Sequence, residues 1–83
     1  MKANIYKHTF VAECPSNHQS IVYQLTITHD QMVKVEHITM ACGLIKRGFH
    51  EDIADQLFDR FGGSQVLCAH HHGVDIETQR NTS

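Results

Sequence analysis

Three consecutive histidines, His70, His71 and His72, stand in the stretch V-L-C-A-H-H-H-G-V-D-I-E-T, Val66 to Thr78. Neutral imidazole is a common transition-metal ligand. On a continuous strand successive side chains alternate faces, which puts His70 and His72 together and His71 opposite. Cys68 joins the His70 face, and His8 from an earlier segment or Asp75 can add a donor. Cys68, His70, His72 and His8 are therefore the candidate ligands for Zn²⁺, Cu²⁺ or Ni²⁺. A structural zinc site needs four ligands, and a catalytic one needs three plus an open position. No second ligand pair at set spacing accompanies the histidines. The competing expectation is a polar hairpin tip closed by Gly73, with no cofactor.

Cys14, Cys42 and Cys68 are the candidate nucleophiles, and each would need a base within hydrogen-bond reach. Cys42 falls on an apolar helical stripe and reads as core; Cys14 precedes Pro15 at a turn. Glu36-His37 and His50-Glu51 are adjacent pairs, and neighbours on a helix point in different directions. No catalytic constellation emerges, so the chain is expected not to be an enzyme. Glu51, Asp55 and Asp59 recur every four residues with Asp52 beside them, opposite Ile53 and Leu57. Like charges at that spacing cost roughly 0.2–0.5 kcal/mol a pair. Such a face serves solubility or docks on a basic protein surface, although Arg60 interrupts it. Glu51, Asp52, Asp55 and Asp59 are the candidate partner-binding residues. Tyr6, His8 and Phe10 share one face of a strand, as core or as an outward apolar patch. A nucleic-acid platform would surround such rings with basic residues, and only Lys2 and Lys7 are near.

The elements that must position these residues follow from periodicity. Ile5 to Cys14 alternates and reads as a strand. Pro15 cannot donate a ladder hydrogen bond and ends it in a turn-forming cluster. Ile21, Tyr23, Leu25 and Ile27 form the inward face of a second strand, paired with the first as an antiparallel hairpin. Asp30 is a candidate helix N-cap. Met32 to Arg47 fits a helix through Val35, Ile38, Cys42 and Ile45, widened by Ala41 and Leu44, with Gly48 as its C′ residue. A strand over Met32 to Glu36 is the alternative. Phe49 to Phe61 reads as a helix that buries Ile53, Ala54, Leu57, Phe58 and Phe61 and is stopped by Gly62-Gly63. Gln65 to Ala69 is a strand, and Val74 to Thr78 is another or its continuation. Residues 79–83 are expected to fray.

Composition bounds the function classes. Eighty-three residues make one domain, residues 1–83. A chain this short buries only roughly 60–65% of its unfolded surface, so a partner or ion would matter to its stability. A formal charge of −2 offers no basic field for nucleic acid. Eight histidines make the charge responsive to pH between about 5.5 and 7.5. No apolar run approaches a membrane span. The cysteine number is odd and C-x-x-C is absent, which points to a reducing compartment, the cytoplasm.

The expected fold is α+β: a small antiparallel β-sheet with two α-helices packed on one face, order β-β-α-α-β with an optional last β. That element order is similar to the subunit plan of tunnelling-fold pterin and purine enzymes. The resemblance lies in element order, and it assigns no substrate-anchoring or metal residue to this chain. The expected function is a non-enzymatic partner-binding protein, an adaptor or inhibitor acting through the acidic helix face and a sheet edge. The alternative is a zinc-type metal-binding protein, and a third class is a small oligomeric enzyme with a shared site. Open edges on the first strand and the histidine strand make homodimerisation an expectation.

Overall fold

The computed structural model describes residues 2–82. Its first two strands are β1 (Asn4–Glu13) and β2 (Ser20–His29), in unbroken antiparallel register from Asn4↔His29 to Glu13↔Ser20. Along β2 the alternation is complete: Ile21, Tyr23, Leu25 and Ile27 are all buried. Phe10 and Ala12 of β1 are buried on the same side, and Tyr6 is half-buried. The aromatic row of β1 is thus core, and Ile5 and Val11 face outward.

Two helices cross from β2 to its next neighbour. The first, α1 (Val35–Leu44), is shorter than the spacing of apolar residues suggests. Asp30 does not cap it; it lies 3.2 Å from the His29 ring, and Lys34 occupies the N-cap without a side-chain hydrogen bond. Ile38, Ala41 and Cys42 are buried, while Val35 and Leu44 at the ends are exposed. Lys46 and Arg47 do not form a last turn. The backbone there runs beside β1: the Glu13 amide donates to the Lys46 carbonyl at 2.9 Å, and the Gly48 amide donates to the Glu13 carbonyl at 3.1 Å. An unpaired strand edge therefore captures the residues that periodicity assigned to the helix. Gly48 is a member of this pairing, not a helix C′ residue.

The second helix, α2 (His50–Phe61), buries Ile53, Ala54 and Leu57 and leaves Phe58 and Phe61 half-buried. Gly62 and Gly63 stop it with φ of 66° and 70°. Gln65, 4% exposed, donates through Nε2 to the carbonyls of Leu57 and Gly62 and so satisfies the helix end. The strands β3 (Ser64–His71) and β4 (Val74–Asn81) complete one antiparallel sheet in the order β1-β2-β3-β4. Ile53, Leu57 and Cys42 pack with Tyr23, Leu25, Ile27 and Leu67, which puts both helices on one sheet face.

Two expectations change. Gln79 to Asn81 do not fray; they pair with Ser64 to Val66, and Ser83 lies outside the described residues. The histidine strand β3 is interior, between β2 and β4, so the sheet edges are β1 and β4. Among the described residues no helix is long and apolar enough to cross a membrane.

Gly63 tests the tight β2–β3 approach. A Cβ there would meet the Thr28 carbonyl oxygen at 2.6 Å and the His29 ring at 2.9 Å, on a backbone already at positive φ. Gly63→Ala is expected to cost at least about 2 kcal/mol in denaturant unfolding. Gly43→Ala, with nothing within 4 Å, is expected to add up to about 1 kcal/mol through helix propensity.

Candidate functional site

The histidine stretch is a hairpin, not one strand. His71 pairs with Val74, and the two residues between them, His72 and Gly73, both take positive φ, 52° and 77°. That is the twist a two-residue hairpin turn requires. Gly73 turns the chain, and the expected His70–His72 face does not form. Cys68 and His70 lie on the sheet face away from the helices. There the His70 Nδ1 sits 2.8 Å from an Asp75 carboxylate oxygen, and the Cys68 thiol donates to Glu77 at 3.8 Å. Burial, then the Glu77 charge, pushes the Cys68 thiol upward. His72 is at the turn, its ring tilted against that of His71 with centroids 4.5 Å apart. His8 is on the opposite, helix-covered face, stacked on Phe10. Among the described residues no group of three or more His, Cys, Asp or Glu side chains is placed to hold a metal ion.

The acidic candidates Glu51, Asp52, Asp55 and Asp59 are all exposed on α2. Asp55 accepts from the Arg80 Nε at 2.8 Å, so part of the acidic field is neutralised by β4. Glu51 and Asp52 have a second setting: with His50 they form the first turn of α2 at the mouth of a cleft of about 630 Å³.

That cleft forms because three connections share one end of the sheet. The β1–β2 turn supplies Cys14 and Asn17, the α1–α2 linker leads into His50 and Glu51, and the β3–β4 hairpin supplies His71. Tyr23 of β2 forms part of the wall. The turn is closed by the Cys14 amide donating to the Gln19 carbonyl and the His18 amide donating to the Cys14 carbonyl. Asn17 Oδ1 accepts the Gln19 amide at 3.1 Å, which orients its Nδ2 as donor toward His72 Nε2 at 2.9 Å.

His50 is the least satisfied group in this wall. Its Nε2 donates to the Leu67 carbonyl at 2.9 Å, which leaves Nδ1 as the bare acceptor. Nδ1 is buried and has no partner among the described residues. Burial holds the imidazole pKa below its ordinary value, with Arg80 adding to the effect; the Leu67 carbonyl and Glu51 act the other way. The neutral ring packs edge-on against Tyr23 with centroids 5.4 Å apart, and Tyr23 in turn stacks with Phe10 at 5.3 Å. Burial, then the nearby Cys14, raises the Tyr23 hydroxyl. Cys14 is itself 4% exposed. Cys42 belongs to the core, where burial pushes its thiol up to about 11.

His50, Tyr23, Cys14 and Asn17 were not singled out by sequence as one site. A readable signal existed: Cys14-Pro15 ends a strand, and His50-Glu51-Asp52 opens a helix. Once the element order is drawn, those two ends meet. Comparison with protein-family models, curated proteins and solved structures returns no match.

The His50 setting gives a sign to the pH response. A histidine depressed in the folded state binds its proton more readily when unfolded. Its contribution to stability is therefore present above the ordinary histidine range and is lost as pH falls through that range toward the lowered value. Melting temperature measured from pH 7.5 down to 5 should fall less steeply in His50→Gln than in the parent. Equal slopes would show that His50 carries no linkage.

Proposed function

We propose that the protein binds a small polar molecule in the cleft between the β1–β2 turn, the start of α2 and the β3–β4 hairpin. The observation that carries this reading is the buried, neutral His50 ring, tied at Nε2 and unpartnered at Nδ1. A buried acceptor left without a donor costs roughly 1–3 kcal/mol, and a ligand that rearranges the wall to supply an N–H or O–H removes that cost. The cleft volume is in the range of small-molecule sites. Glu51 and Asp52 at its mouth disfavour an anion. The expected ligand is thus neutral or cationic and rich in N–H or O–H donors, with Tyr23 as a flat wall.

The test is amide NMR with a fragment library of amino-heterocycles, amidines and carboxylates. Donor-rich neutral or cationic fragments should shift Asn17, Tyr23, His50 and His71 together, and His50→Gln should weaken their binding about tenfold or more, the loss of a buried hydrogen bond. Carboxylates binding best, or undiminished binding to His50→Gln, would overturn the proposal.

The exposed carboxylates of α2 support a second reading, an adaptor or inhibitor that docks on a basic protein surface. The double reversal Asp55→Lys with Asp59→Lys lies outside the cleft wall. It should abolish salt-sensitive capture of a partner from cell extract without lowering the melting temperature by more than a few degrees. Unchanged capture would remove the acidic face from consideration.

A further inference from the structure

Glu13 is the last residue of β1, immediately before Cys14. Its backbone is tied on both sides to the α1–α2 linker, through the Lys46 carbonyl and the Gly48 amide. Its side chain reaches two further groups. One carboxylate oxygen, Oε1, accepts from the Arg47 Nη2 at 2.8 Å and from the His18 Nδ1 at 2.8 Å. Those two hydrogen bonds hold the Glu13 carboxyl below its usual pKa, with His18 the larger cause.

Both side-chain partners belong to the parts that wall the cleft. His18 sits in the β1–β2 turn next to Asn17, and Arg47 precedes Gly48, Phe49 and His50 at the entrance to α2. His18 is also held at φ of 61°, in the left-handed region that a residue with a Cβ occupies at a cost. A contact that over-determines the turn is what such a conformation requires, and Glu13 supplies one.

We propose that Glu13 is the positioning residue of the cleft: through Arg47 and His18 its carboxylate clasps the β1–β2 turn to the entrance of α2, and so sets the opening around Cys14. The inference deepens the ligand-binding proposal, because the same opening decides what enters. The clasp is partly exposed, with Arg47 at 57% and Glu13 at 36% side-chain exposure, so it is sensitive to salt.

The three cysteines allow a test that needs no ligand. Iodoacetamide labelling, mapped by mass spectrometry, reads Cys14 in the cleft, Cys42 in the core and Cys68 on the open sheet face of the same molecule. Glu13→Ala and Arg47→Ala should each raise the Cys14 rate about fivefold, the most that an exposed ion pair supports. Cys42 and Cys68 rates should stay constant, and 1 M salt should speed Cys14 in the parent but not in the variants. Arg47→Ala leaves the backbone pairing in place and gives the readout even if Glu13→Ala fails to fold. An unchanged Cys14 rate, or a parallel rise at Cys42 that signals general opening, would overturn the clasp. Fragment binding by the parent is measured separately: if the parent binds none while Cys14 responds as expected, the ligand reading fails and the clasp stands.

Discussion

Burial of one face of β2 is the constraint from which the rest of the structure follows. Ile21, Tyr23, Leu25 and Ile27 cannot be covered by β1, which lies beside β2 in the plane of the sheet. Apolar cover must come from above, and the chain provides it before the next strand begins. Ile38, Ala41 and Cys42 of α1 and Ile53, Ala54 and Leu57 of α2 meet that face. Only then does β3 add to the other side of β2, with Tyr23 opposite Ala69 and Leu25 opposite Leu67. The helices are thus the lid of a core whose floor is the inward face of the sheet. The opposite face stays open, with Val11 and Val22 exposed directly across from each other.

The same arrangement creates the cleft. An antiparallel sheet alternates its connections between two ends, and the long crossover returns α2 to the end where the β1–β2 and β3–β4 turns lie. Tyr23 and His50 meet there because one is near the start of β2 and the other begins α2. The site thereby inherits a low-dielectric wall from the core and polar groups from the turns. That combination keeps His50 neutral and leaves one of its nitrogens without a donor.

Much of the fold was legible in local pattern. The period of two in β2 and the apolar face of α2 were strong enough to place both elements and the α+β class. The end of α1 was not, because Lys46 and Arg47 look like a cationic last turn until the edge of β1 competes for their backbone. The His72-Gly73 turn was ambiguous, since histidine gives little local indication that it will take positive φ. The site was hidden for a different reason. Cys14, Tyr23 and His50 lie on a turn, a strand and a helix, and no spacing along the chain relates them. The run of histidines is at His70–His72, while the buried histidine with an unpartnered nitrogen, His50, stands alone at a helix start.

The cleft turns on His50 as a neutral Nε2–H imidazole whose Nδ1 stands ready for a donor. Long-range ¹⁵N–¹H NMR of the histidine rings, recorded from pH 8 to 4.5, reads tautomer and titration directly. The expected result is the Nε2–H form at His50 and a midpoint below the ordinary histidine value. An Nδ1–H ring, or a midpoint at or above that value, would contradict it.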